Sequence, residues 1–143
     1  MPDDILTGSC LCGATTYQVK LPFLRFAHCH CSRCRKATGT SHATYLYFTP
    51  ASFAWTTGSD CVVRFDLPAA RSFATTFCQQ CGSPLPHHTR NGREIVVPAG
   101  SLDSPLTMRP EANIFWDSRA PWGPTDDGIP CFSELPDWWW HKQ

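Results

Sequence analysis

The segment HCHCSRCRKATGT, residues 28–40, sets three cysteines and two histidines within seven positions and follows them with the basic pair Arg35 and Lys36. Three uses fit that much soft, ionisable chemistry: a structural metal knot, a disulfide cluster, or a site that handles substrate. The choice bears on the fold, because a chain that spends its cysteines on metal ions is organised around them. Nine cysteines occur, and seven fall in three tight groups: Cys10 and Cys12 in CLCG, Cys29, Cys31 and Cys34 in CHCSRC, and Cys78 and Cys81 in CQQCG. In CxxCG the two intervening residues let both sulfurs point at one ion, and the glycine permits the positive φ that follows. In CxCG, residues i and i+2 of an extended chain project to one face, so Cys10 and Cys12 can also chelate a single ion.

Neither pair completes a tetrahedron alone. Joined, Cys10, Cys12, Cys78 and Cys81 give a four-thiolate site closed to further ligands, a structural zinc by ligand count. The three thiolates left over leave a zinc ion one coordination position for water or substrate, which is the pattern of a catalytic site. A histidine as fourth ligand would instead make the second zinc structural. His30 lies between two cysteines of an alternating CHC and points away from their metal in an extended chain, as does His28. The spacing leaves His42 open. Cys61 and Cys131 match no motif and read as buried small apolar residues.

A chain of 143 residues is the size of one domain, 1–143, with a core of its own. The start MPDDILTGSC lacks a basic region followed by an apolar run, and no window of about 18 apolar residues occurs. These features predict no signal peptide, no membrane span, reduced thiols and a cytoplasmic location. Lys plus Arg and Asp plus Glu balance at 12 each, so no overall basic field attracts nucleic acid or an anionic membrane. Thirteen prolines and nine glycines punctuate short, strand-like apolar runs and argue against long helices. Strands are predicted over 14–20, 43–48, 53–56, 61–66, 72–77 and 94–98, giving a mainly β, antiparallel protein. One helical turn is predicted over 32–37, capped by Ser32 and ended at Gly39, and a second near 137–141. The proline-rich run 105–136 reads as a strap packed on the sheets, with Ile114, Phe115, Trp116 and Trp122 too apolar to be left in water.

GSCLCGATTYQV, CHCSRCRKATGTSH, FCQQCGSPL, AGSLDSP and SRAPW, taken together over residues 8 to about 136, resemble the glutathione-dependent formaldehyde-activating enzyme family, which includes centromere protein V. The resemblance implies a β-tent fold of antiparallel sheets with two zinc ions and little helix. It implies a structural zinc on Cys10, Cys12, Cys78 and Cys81 and a catalytic zinc on Cys29, Cys31 and Cys34. The activity it implies is addition of glutathione to formaldehyde to give S-hydroxymethylglutathione, a carbon-sulfur lyase reaction in reverse. Asn113 departs from the histidine expected at that position in many relatives.

Zinc with three thiolates carries a charge of −1, and a substrate thiolate makes it −2, so nearby cations are favoured. Arg35 and Lys36 are candidates to offset that charge or to grip a peptide carboxylate. Arg119 and Trp122, in SRAPW, fall where the resemblance places the late part of the site, although Trp122 also reads as a core residue. Asp117 is a candidate proton acceptor. Trp138, Trp139 and Trp140 read as a plug over the core or as an exposed contact patch. The expectation is thus a zinc enzyme that activates a small thiol, with glutathione as partner. The alternative is a zinc-stabilised binding or scaffold domain without turnover.

Overall fold

The computed structural model describes residues 4–125 and 127–141. Among these residues eleven strands form three sheets. The first holds β1 (Ile5–Ser9), β2 (Thr16–Lys20) and β5 (Phe53–Thr57) in the order β1-β2-β5, all antiparallel. The second, central sheet contains β3 (Arg25–Cys29), β4 (Ala43–Phe48), β9 (His87–His88), β10 (Ile95–Pro98) and β11 (Ala112–Ile114). Its order is β11-β3-β4-β10-β9. The third holds β6 (Val62–Asp66), β7 (Ala74–Cys78) and β8 (Pro84–Leu85). Among the described residues the single α-helix is α1 (Ser32–Thr38).

Period-2 alternation sorts the central sheet into two faces. Phe26, Leu46, Phe48, Ile95 and Val97 pack against Leu6, Tyr17 and Val19 of the first sheet and form the main core. The opposite face carries Ala27, Cys29, Ala43, Ala112 and Ile114, with Tyr45 and Tyr47 beside them, and is covered by α1 and by Trp139 from the chain's end. A third cluster, Cys10, Cys78 and Leu85, joins the turn between β1 and β2 to the third sheet.

The mainly β expectation holds, and β4 matches its predicted span residue for residue. Several details differ. β11 runs parallel to β3, with Asn113 opposite His28 and Ile114 opposite Cys29, so the strap contributes a strand to the sheet. Residue 31 and not Ser32 caps α1: the Cys31 sulfur accepts the Cys34 N–H at 3.3 Å. The second helical turn is a short 3-10 turn, Trp139–His141. Ile114 is buried and Phe115 and Trp116 are partly covered, but Trp122 is 70% exposed. Cys61 is half-buried and Cys131 exposed, not buried as expected: Cys61 ends the 3-10 turn Ser59–Cys61, and Cys131 forms an isolated bridge with Asn113.

Arg25 anchors the covered face. Its side chain is fully buried, bonds Glu94 through Nη2 and donates from Nη1 to the Trp139 carbonyl at 2.9 Å. Its guanidinium lies 5.0 Å from the Tyr47 ring centroid and 4.8 Å from that of Trp139, within cation–π range. Removing one partner of such a pair leaves a charge buried and uncompensated. Glu94→Ala is expected to lose about 3–5 kcal/mol in denaturant unfolding, whereas Glu111→Ala, at the edge of the same sheet, is expected to lose less than about 1 kcal/mol.

Candidate metal centres and an adjoining cavity

Four cysteines converge at the junction of the first and third sheets. Cys10 and Cys12 come from the β1–β2 turn, Cys78 ends β7 and Cys81 lies in the turn before β8. Their four sulfurs lie within 4.8 Å of one another, with Cys10 to Cys12 at 3.6 Å and Cys12 to Cys78 at 3.9 Å. Zinc–sulfur bonds of about 2.3 Å in a tetrahedron place sulfurs about 3.8 Å apart, so the spacing fits zinc. Gly13 (φ 80°) and Gly82 (φ 73°) turn the chain back after each pair, donating to the Cys10 and Cys78 carbonyls at 3.1 and 2.8 Å; a side chain there is disfavoured by the positive φ. Thr15 N–H reaches the Cys10 sulfur at 3.3 Å and Gln80 N–H the Cys78 sulfur at 3.4 Å. The Ser83 hydroxyl and N–H, with the Cys12 N–H, bring the Cys81 thiol down to about 5. Such donors favour thiolate ligands.

The second group sits where β3 turns into α1. Cys29 ends the strand, Cys31 caps the helix and Cys34 lies in its first turn, and their sulfurs also lie within 4.8 Å of one another. Hydrogen bonds from the Cys29 and Cys34 thiols, then the N–H groups of Cys34 and Arg33, drive the Cys31 thiol far below its usual range. The donor set suits a soft divalent metal, with three sulfurs from the protein. No histidine joins this group among the described residues. His28 and His30 project to the other face of the sheet. There His28 Nδ1 bonds Thr44 Oγ1 at 2.7 Å, and His30 Nε2 bonds Asn113 Oδ1 at 2.7 Å. His42 stacks between them, with ring centroids 4.2 Å from His28 and 5.0 Å from His30. Asn113 passes the chain of contacts on to the Asp127 carboxylate at 3.2 Å.

The three-sulfur group opens onto a cavity of 540 Å3. Its floor is the covered face of the central sheet, with Tyr45, Tyr47 and Val96 beside Cys29, and its walls include Arg33, Arg71, Phe73, Phe115, Trp139 and Trp140. Burial first, then the Cys34 and Cys29 sulfurs, hold the Tyr45 hydroxyl well above its ordinary value, so it stays protonated at neutral pH. Burial does the same for Tyr47. His87 lines the cavity too, and burial followed by the Arg64 charge lowers its imidazole to about 4.

Arg35, Lys36, Arg119 and Trp122 lie outside the described lining of this cavity, whereas Arg33 and Arg71 belong to it. Arg119 stacks on Trp116, 4.7 Å from the ring centroid, and bonds the Trp116 carbonyl. Asp117 lies in a 3-10 turn over 116–118, also outside the lining. Arg33 stood in the quoted segment, but nothing in the spacing separated it from Arg35. Arg71 and Phe73 reach the cavity from a distant loop and left no local signal, whereas Trp140 belongs to the tryptophan run singled out in the sequence and reaches it from the 3-10 turn Trp139–His141.

A family model described as "Glutathione-dependent formaldehyde-activating enzyme" matches residues 5–118. A Halomonas elongata protein named "Putative glutathione-dependent formaldehyde-activating enzyme" is 28% identical over 141 residues, covering 93% of this chain and 90% of the relative. A crystal structure of a Rhodobacter sphaeroides protein shares the fold, with a TM-score of 0.58 at 23% identity over 71% of this chain and 91% of that one.

Because the folded His87 binds its proton only near pH 4 and the unfolded chain binds it near 6.5, acid favours unfolding. The contribution is absent above about pH 7 and grows as pH falls toward 4. His87→Gln is therefore expected to be about 3 kcal/mol less sensitive to a change from pH 7 to pH 4 than the wild type, read from urea unfolding. An NMR titration should show the His87 ring neutral at about pH 5.5.

Proposed function

We propose that this chain, which belongs to the glutathione-dependent formaldehyde-activating enzyme family, holds two zinc ions and joins a small thiol, glutathione, to an aldehyde such as formaldehyde. Cys10, Cys12, Cys78 and Cys81 would hold the structural ion and Cys29, Cys31 and Cys34 the reactive one. The observation that carries this reading is the second group's setting: three sulfurs, no fourth protein ligand among the described residues, and a cavity of 540 Å3 at their side.

Cys29, Cys31 and Cys34 would hold a zinc ion whose open soft position would supply the acidity that favours the thiolate form of a substrate thiol at neutral pH. The thiol sulfur then bonds the carbonyl carbon, the C=O π pair moves to oxygen, and that oxygen gains the proton the thiol released. The reverse step breaks the carbon–sulfur bond, as a carbon-sulfur lyase does. Tyr45, protonated and beside Cys34, would donate a hydrogen bond to the oxygen as negative charge gathers there. Arg33 and Arg71, both exposed at the cavity, would offset the negative charge of the thiolates and draw the carboxylates of a peptide thiol.

The two cysteine groups separate under mutation. Cys81→Ser is expected to lose one zinc and more than about 4 kcal/mol of stability, since a structural site's binding energy is folding energy. Cys31→Ser should lose the other zinc with less than about 2 kcal/mol of destabilisation and abolish glutathione binding, measured by metal analysis, urea unfolding and calorimetry. Equal collapse of both variants would make both ions structural and the protein a scaffold.

A further inference from the structure

We infer that the cavity accepts an aldehyde bearing an apolar ring on its carbonyl carbon, an aryl aldehyde or similar aromatic carbonyl, in preference to formaldehyde. The inference rests on the thiol-addition reading above. Its observation is the wall. Val96, Ile114, Phe73, Phe115, Trp139 and Trp140 line the same space as the three sulfurs.

Formaldehyde has one carbon and no apolar surface, so none of these side chains can contribute to its recognition. Glutathione does not account for them either. Its ends are charged, and Arg33 and Arg71 supply the matching groups. A volume of 540 Å3 falls in the range of sites that enclose ligands of tens of heavy atoms, which leaves room for a substituent beyond the peptide thiol.

Placement of the wall is fixed by the core. Trp139 is 2% exposed, packs on Arg25 and is tied to it through its carbonyl. The same guanidinium lies 5.4 Å from the Trp140 ring centroid, yet Trp140 remains 58% exposed. A large ring held in place by a buried cation and left half uncovered at a cavity presents a ready stacking surface. Leu135, Trp139 and Trp140 all lie beyond residue 118, where the family model's match stops. Phe73, Val96, Ile114 and Phe115 lie within the matched span, so the two tryptophans and Leu135 are the part of the wall outside it. Bond changes are those of the parent reaction: the sulfur–carbon bond forms, the π pair moves to oxygen with the thiol's proton, and the aryl group stays on carbon against the tryptophans.

The test uses two thioethers that carry the same peptide and differ only in the group on sulfur. Calorimetry on the zinc-loaded full-length protein compares S-benzylglutathione with S-methylglutathione, with glutathione itself as the third ligand. The inference expects S-benzylglutathione to bind at least about tenfold tighter than the S-methyl compound. Trp140→Ala should bring that ratio below about threefold, and Trp140→Phe should keep most of it. Glutathione binding with equal affinity for the two thioethers, or an undiminished ratio in Trp140→Ala, overturns the inference and leaves the thiol-addition reading standing. Failure of the wild type to bind glutathione overturns that reading and the inference with it.

Discussion

The Cys31 sulfur answers two demands at once. It accepts the Cys34 N–H and so caps α1, and it faces the Cys29 and Cys34 sulfurs within metal-binding reach. A cysteine cap is unusual because oxygen side chains accept such bonds better. Here the sulfur is held near the first-turn N–H groups, whose partial positive charge favours the thiolate. Strand end, helix start and ligand set are therefore one feature, and moving any of the three cysteines by one residue would break all of it. The alternation of β3 fixes the rest: Arg25, Ala27 and Cys29 take one face and Phe26 and His28 the other, so the core and the site share a strand without sharing side chains.

Arg25 connects that strand to the far end of the chain. A guanidinium buried among Tyr47, Trp139 and Glu94 is costly to desolvate, and it is engaged through Nη1 by the Trp139 carbonyl and through Nη2 by Glu94. The engagement pins the closing tryptophans four residues along the strand from Cys29, at the edge of the cavity. The bond from Arg25 to the Trp139 carbonyl adds to the backbone hydrogen bonds that tie residues 130–134 to 113–116, and together they hold the covering segment over the cavity. The four-cysteine group plays the corresponding part on the other side, tying the first sheet to the third where few apolar residues meet.

Ligand spacing carried most of what was legible in the sequence. CxC, CxxC and the interval between them are local patterns with a geometric meaning, and the structure brings each group's sulfurs together. β4 was readable because ATYLYF alternates cleanly. β3 was not, since RFAHC buries an arginine and carries a histidine beside the ligand run, so its period-2 signal was hidden by charge. β11 is three residues long and pairs in parallel with a strand more than eighty residues earlier; only that partner makes it a strand. Trp122 looked like core by composition, yet the loop around it sits on the surface, while Ile114 and Trp139 fill the covered face of the central sheet. The cationic lining of the cavity was not legible for a similar reason. Arg35 and Lys36 follow the ligands in sequence, but the turn of α1 sends Arg33 to the cavity, and Arg71 arrives from a loop that no local pattern links to it.

The central claim is that the three-cysteine site keeps a place for a substrate sulfur. X-ray absorption at the zinc edge counts sulfur neighbours directly. With seven cysteine sulfurs shared by two ions, the account predicts an average of about 3.5 sulfurs per zinc in the free protein, rising to about 4 when glutathione is added. An average already at about 4 in the free protein, or one that does not rise with glutathione, would contradict it.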